Sequence, residues 1–341
     1  MSANKDTRIR TQECRYCTAC GASGTELYRQ LADQLYGTPG VWAIKRCTNP
    51  ACDLLWLDPM PMADDLNLAY RNYYTHQEIA NESRKSSQRP LVKRIHGLLA
   101  AAMGFHSAKR ERDYRYLRTR APGRLLDVGC GAGEYVAFMR DHGWQAEGVD
   151  FDAEAVESAR TRFGVNVHSR QLEEMKYPDA YFDAITMNHL IEHVPDPARL
   201  LRECRRVLKP GGMAIVTTPN AGGLGHRIHA RYWRGLEPPR HLHIFSPASL
   251  GILAKRAGFE NVEVFTSGVN SGYFFKESFR IERKETSHIQ GDGNSVPMIV
   301  WVKAVLLELY ELWKIRSDSR IGEEAVMICR GGDNNTPLAD D

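Results

Sequence analysis

Leu125-Leu126-Asp127-Val128-Gly129-Cys130-Gly131-Ala132-Gly133 is the stretch that decides the fold. Its apolar start reads as a buried strand, its glycines as a tight turn, and the following Glu134–His142 as a helix. Glycines at alternate positions let the main chain pass under a ligand where a side chain would collide. The next β-like run, Ala146–Val149, ends in Asp150. That acid lies 17 residues after Gly133, about where a dinucleotide-type fold puts a carboxylate on ribose hydroxyls.

Asp127 separates two readings of this turn. A dinucleotide would lay its pyrophosphate over the glycines, and a carboxylate there would repel it. S-adenosylmethionine (SAM) carries no phosphate. Its amino group and sulfonium are both cationic, so an acid beside the turn favours it. The sequence is therefore read as a SAM site, against the plain alternative of a strand-turn-helix whose glycines serve packing.

Outward from this stretch, strands and helices alternate. Strands are expected at Arg124–Val128, Gln145–Val149, Val165–His168, Phe182–Met187 and Met213–Thr217. Helices are expected at Glu134–His142, Ala153–Arg162 and Pro197–Leu208, and Lys209-Pro210-Gly211-Gly212 reads as a turn. Such alternation predicts an α/β fold with a doubly wound, seven-stranded Rossmann-like sheet, closed by Val262–Phe265 and Glu324–Cys329. Ligands of these sheets sit at the carboxyl ends of the strands. Those ends carry Asp127, Asp150 with Phe151, the loop around Leu172-Glu173, Asn188-His189 and Thr218-Pro219-Asn220.

A chain of 341 residues suggests two or three units. With 43% apolar and 26% charged residues, no large disordered fraction is forced. A net charge of +3 is too small to imply a polyanionic partner. Between Ser83 and Arg124, however, twelve Lys/Arg face only Glu111 and Asp113. The one-sign bias admits a phosphate-bearing ligand or an anionic membrane surface beside the plain reading of a solvated face. Met1–Gln12 is polar and shows no secretion signal. With eight cysteines, a reducing cytoplasm is expected, the inner membrane face included, where clustered thiols more often bind metal than pair.

Cys17-x2-Cys20 and Cys47-x4-Cys52 have the form of two knuckles of a zinc ribbon, with Cys14 as a spare. Four thiolates close a tetrahedral structural zinc site without an open position. Helices are expected at Asp64–Tyr74, Pro90–Phe105 and Ser107–Arg118, and Met298–Trp313 reads as an amphipathic helix too charged to span a membrane. Core packing, a homodimer contact and a membrane surface are its three readings. The expected organisation is a ribbon-like module over 1–62, a basic helical linker over 63–122, a core over 123–270 with 322–332, and a helical insertion over 271–321.

The glycine stretch resembles motif I of class I SAM-dependent methyltransferases, and Gly148-Val149-Asp150 resembles their ribose motif. Tyr181–Ile185 with His189–Pro197, and Leu208–Gly212, are similar to the ubiquinone-biosynthesis-like subgroup. The cysteine segment with Trp56-Leu57-Asp58-Pro59, and Arg240–Ser246, resemble a narrower bacterial group that often serves sugar, polysaccharide or natural-product pathways. The resemblance implies that Asp150 holds the ribose and that Gly129, Gly131 and Gly133 pass under the methionine and ribose. Asp127, Phe151 and Asn188 complete the expected cofactor set, with the backbone at Leu172-Glu173 near adenine. The ubiquinone enzymes carry an acid three residues before their Glu-His pair. Here that position is His189, so no catalytic magnesium site is expected.

Methyl transfer to a hydroxyl needs an aligned acceptor and a base, and histidine suits the second task. His241 and His189 are the candidates, while Tyr232, Trp233 and Arg240 are expected to shape the acceptor site. The favoured reading is a small-molecule or glycan O-methyltransferase with a lipid- or nucleotide-linked acceptor. An RNA methyltransferase that holds RNA with its ribbon, and a non-catalytic SAM-binding partner protein, are the competing readings. Nucleic acid is disfavoured because few Lys/Arg lie between the knuckles.

Overall fold

The computed structural model describes residues 9–70, 104–283 and 297–332. The helix expected over Pro90–Phe105 lies almost wholly outside these residues. Near the N-terminus come β1 (Thr11–Gln12), β2 (Gly24–Leu31), β3 (Trp42–Cys47), β4 (Leu55–Leu57), β5 (Met60–Pro61) and the short helix α1 (Leu66–Ala69). Then follow α2 (Phe105–Asp113), β6 (Arg124–Val128), α3 (Glu134–Asp141), β7 (Gln145–Asp150), α4 (Ala153–Phe163) and β8 (Asn166–Ser169). After these come β9 (Phe182–Asn188), α5 (Pro197–Val207), β10 (Leu208–Pro219), α6 (Leu224–His229), β11 (His243–Ile244) and α7 (Pro247–Arg256). The last elements are β12 (Asn261–Ser267), α8 (Ser271–Glu282), α9 (Met298–Lys314) and β13 (Glu324–Arg330).

Seven strands form one sheet in the order β12-β13-β10-β9-β6-β7-β8. Strands β6 to β10 run parallel, while β13 is antiparallel to both β10 and β12. β6 sits centrally because its side chains are buried on both faces, as a strand covered by helices on either side requires. The order reverses at β6, with β7 on one side and β9 on the other. The glycine turn after β6 therefore opens at the switch point where such sheets bind ligands.

The turn expected at Lys209–Gly212 is absorbed into β10, with an irregularity between Leu208 and Met213. Gly211 N–H donates to the Gly331 carbonyl and Gly331 N–H to the Gly212 carbonyl, each at 2.9 Å. These bonds carry the pairing with the end of β13 across the would-be turn.

A second sheet has the order β11-β4-β3-β2. Its fourth strand, β11, comes from beyond β10, so the N-terminal segment completes its sheet with residues 243–244. Leu57 N–H donates to the Leu242 carbonyl at 2.9 Å, and Ser246 Oγ to the Cys52 carbonyl at 2.6 Å. Leu54 and Trp56 share one apolar cluster with Leu126, Val128 and Phe245. The two sheets are thus joined by buried surface, the dominant favourable contribution to folding.

The basic run around α2 is not a free cationic face. Arg112 reaches the buried Glu324 at 2.9 and 3.0 Å, and Arg115 binds Asp127 and Thr186. Lys109 pairs with Asp113 and Arg118 with Glu111. Among the described residues, no helix is long and apolar enough to cross a membrane.

Candidate active site

A cleft of about 520 Å³ opens at the carboxyl ends of β6, β7 and β9. Gly129, Gly131, Asp150, Phe151, Asn188, His189 and His241 all line it. Seven positions proposed from sequence are therefore brought to one place by the topology.

The glycine turn is shaped by two different demands. Gly133 is left-handed at φ +77°, and a Cβ there would lie 2.6 Å from that of Ala159 on α4. Gly131 is also left-handed, at φ +50°, but a Cβ would meet nothing within 4 Å. Its bareness leaves the cleft open and lets its backbone take the turn. Gly131 N–H donates to Asp150 Oδ2 at 2.8 Å, and Asp152 N–H donates to Oδ1 at 2.9 Å. Burial pushes the Asp150 carboxyl up, against these two donors. Phe151 stands half-exposed at the lip, edge-on to Tyr70 with ring centroids 5.4 Å apart.

Four expected cofactor positions do not line the cleft: Gly133, which packs on Ala159, and three others. Asp127 is fully buried behind the turn and does not line the cleft. One of its oxygens is held by Arg115 and by Thr186 Oγ1, the latter at 2.8 Å, while Oδ2 finds no hydrogen-bond partner. Burial pushes this carboxyl up, opposed by Arg115 and Thr186. Leu172 and Glu173 sit on a 3-10 turn after β8, with Leu172 buried and Glu173 paired to Arg199 at 3.3 Å. Neither lines the cleft.

The two histidines differ in kind. His189 takes a left-handed backbone at φ +53°, unusual for a residue with a Cβ, which swings its ring between two acids. Nδ1 lies 3.2 Å from Glu192 Oε1 and Nε2 lies 2.9 Å from Glu324 Oε1. Burial alone would lower its pKa, but hydrogen bonds to both carboxylates outweigh this and raise it to about 9. An imidazolium that donates both N–H groups has no lone pair for an incoming proton. Both ring nitrogens of His189 are thus engaged by carboxylates.

His241 is buried and neutral. Burial, with His193 and Arg234 nearby, drives its pKa well below 6.5. Nδ1 lies 2.7 Å from the Gly235 carbonyl, which fixes the proton on that nitrogen and leaves the lone pair on Nε2. Nε2 is 3.5 Å from Glu237 Oε2.

Behind His241 lies a buried ionic network. Arg240 is wholly buried and donates to both oxygens of Asp33 at 2.8 and 2.9 Å, to Thr38 Oγ1 at 3.0 Å and to Glu237 Oε1 at 2.8 Å. Glu237 also pairs with Arg234. Arg240 and Trp233 thus brace the wall from behind, and it is Arg234 and Glu237 that reach the cleft. Tyr36, Tyr70, Asn270, Tyr273 and Phe274 are also among the lining residues. Tyr36 comes from the loop between β2 and β3, and the last three from the start of α8. No local motif marks any of these, since only tertiary packing brings them in.

Two groups of potential metal donors stand out among the described residues. The Sγ atoms of Cys17, Cys20, Cys47 and Cys52 lie within 4.8 Å of one another. Cys17 and Cys52 are 3.6 Å apart, and Cys20 and Cys47 are 3.5 Å apart. A tetrahedral zinc with bonds of about 2.3 Å needs sulfurs roughly 3.8 Å apart, so the set fits. Cys14 stands outside it. Glu192, His193 and His241 also place donor atoms within 4.8 Å. There, Glu192 accepts from His189 and from Thr218 Oγ1, and His193 Nδ1 faces Tyr70 Oη and the Arg240 carbonyl. This second group is a hydrogen-bonded network, and we assign it no metal.

A family model described as a methyltransferase domain matches residues 102–264. A ubiquinone biosynthesis O-methyltransferase of Thiobacillus denitrificans is 33% identical over 166 residues, covering 44% of this chain and 71% of that protein. The chain belongs to the SAM-dependent methyltransferases.

The methyltransferase is also similar to a probable S-adenosylmethionine-dependent methyltransferase of Mycolicibacterium smegmatis, at 35% identity over 43% of this chain and 56% of that protein. A Pseudomonas aeruginosa ubiquinone biosynthesis O-methyltransferase is 35% identical over 40% of this chain and 64% of that protein. The chain thus spans less than two thirds of these last two relatives. A crystal structure of a SAM-dependent methyltransferase from Archaeoglobus fulgidus superposes with a TM-score of 0.44 at 22% identity, over 66% of this chain and 92% of that one.

Proposed function

We propose that this methyltransferase moves the methyl group of SAM to a hydroxyl of a small molecule or glycan, with His241 as general base. SAM supplies an electrophilic methyl carbon on a sulfonium. The chain's part is to hold the donor, align the acceptor and take its proton. Asp150 and the bare turn at Gly131 receive the ribose and methionine, and Phe151 offers an apolar lip. Asp127, held by Arg115 and Thr186, supports the turn from behind.

The observation that carries the base assignment is the tautomer of His241. Its Nδ1–H is tied to the Gly235 carbonyl, so the Nε2 lone pair is available inside the cleft at neutral pH. When Nε2 accepts a proton, Glu237 at 3.5 Å stabilises the imidazolium. Cys17, Cys20, Cys47 and Cys52 hold one structural zinc, which fixes the β2–β3 hairpin that carries Tyr36 to the cleft.

The test incubates the purified chain and labelled SAM with cell extract and identifies the labelled product. The expected product is a methyl ether on a small molecule or glycan. His241→Ala slows its formation at least about a hundredfold and leaves SAM affinity unchanged. A labelled RNA, or an unchanged rate in the variant, contradicts the reading.

A further inference from the structure

Helix α9 carries its charges the wrong way round. Its two acids, Glu308 and Glu311, face inward and are buried. Glu311 Oε1 accepts from the Glu323 N–H at 2.9 Å, and Glu308 packs so closely on Gly272 of α8 that a Cβ there would lie 2.7 Å away. Apolar side chains point outward instead. Leu306 is 60% exposed, Trp313 59%, Ile299 56% and Tyr310 47%. Their spacings of seven, four and three residues put them on one stripe of the helix. A soluble helix ordinarily does the reverse.

Among the described residues of this helix, the charges beside the stripe are of one sign. Lys303 precedes Leu306 by three residues and Lys314 follows Tyr310 by four, so both lie along its edge. Lys303 also sits over the Phe279 ring of α8, at 5.7 Å from its centroid. On α8 itself, Lys276 and Arg280 both pair with the buried Glu277 at 3.3 and 3.4 Å, and Glu282 faces His229.

We propose that the outer face of α9 seats the protein on an anionic lipid surface, with the helix lying in the plane of the headgroups. An apolar stripe bearing Trp and Tyr, edged among the described residues by lysines, fits such an interface at both levels. The stripe enters the acyl boundary, and the lysine stems extend along it to reach the phosphates. A second copy of the chain fits less well. Pairing two α9 helices would bring their lysine edges together, and the helix's own acids, Glu308 and Glu311, are inside. The helix is also coupled to the cleft, because α8, on which it packs, carries Tyr273 and Phe274 into the lining. This inference stands apart from the base assignment, since it concerns a different surface.

The experiment is cosedimentation of the full chain with phosphatidylcholine vesicles, with and without phosphatidylglycerol. Binding is expected to the anionic vesicles and to weaken with salt. Leu306→Ser/Trp313→Ser is expected to cut partitioning at least about tenfold. Both positions are exposed, so melting temperature and SAM binding are expected to hold in that variant. Lys303→Gln and Lys314→Gln are each expected to cost about fivefold on anionic vesicles alone. Absence of binding to either vesicle overturns the proposal, as does equal binding of the double variant. A dimer in light scattering that Leu306→Ser/Trp313→Ser disperses, without vesicle binding, also overturns it and assigns the face to a second copy.

Discussion

Arg240→Met removes the cation that ties the N-terminal segment to the wall of the cleft. In the wild type, Asp33 accepts two guanidinium bonds at 2.8 and 2.9 Å and three backbone N–H bonds from Leu35, Tyr36 and Thr38. Burial pushes its carboxyl up, and the Arg240 hydrogen bonds outweigh burial and hold it below 3.8. The variant leaves Asp33 buried with its backbone donors and the Thr38 side chain, while Glu237 keeps Arg234. Breaking a buried pair from one side costs about 3–5 kcal/mol. At about 2.1 cal/mol/K per residue, a chain of 341 residues unfolds with an entropy near 0.7 kcal/mol/K, so the melting temperature falls by about 4–7 °C. Differential scanning calorimetry reads this directly. The pH dependence has a definite sign. In the wild type Asp33 contributes stability above pH 3.8, lost as the pH falls through its depressed folded value. In the variant its carboxylate is a penalty that protonation removes, so the gap between the two proteins narrows on acidification. Adding Asp33→Asn is expected to recover part of the loss rather than add to it. A shift under about 1 °C, or a gap independent of pH, refutes the reasoning.

Other consequences are equally direct. The His189 pKa of about 9 lies above its ordinary 6.5. Its contribution to stability is therefore complete below pH 6.5 and is lost as the pH rises through about 9. His189→Gln is expected to flatten the stability profile over that window in urea titrations, and an unchanged slope contradicts the paired imidazolium. Elemental analysis is expected to find one zinc per chain, and Cys52→Ser is expected to lose it along with much of the near-ultraviolet signal from Trp42 and Trp56. Retention of zinc in that variant removes Cys52 from the ligand set.

The catalytic sheet was legible because its strands are dense apolar runs bounded by glycine turns and N-caps. Asp152 caps α4 and Ser246 caps α7 with side-chain acceptors, both readable locally. Phe182–Asn188 and Glu324–Arg330 needed no tertiary information beyond burial. The cleft was half legible. Gly131, Asp150 and Asn188 sit at strand ends, where topology alone predicts a ligand. Tyr36 and Tyr273 were invisible because nothing near them in sequence signals a cleft, and long-range packing alone delivers them. The segment 232–240 was legible as part of the acceptor site, but the residues of it that reach the cleft are Arg234 and Glu237. The same holds for β11, two residues long, which exists only because β4 offers an open edge. Asp127 shows the opposite limit. Its position beside the turn was right, but the sequence did not reveal that Arg115 would meet it from behind. The fate of charges is set by partners far away in the chain, and local pattern does not encode it.

Isothermal titration calorimetry of SAM into the wild-type chain and into Asp150→Ala tests the central assignment most directly. The wild type is expected to bind one SAM per chain, and Asp150→Ala to weaken binding by at least about a hundredfold. Equal affinities in the two proteins would mean that the cleft beneath Gly131 does not hold the methyl donor.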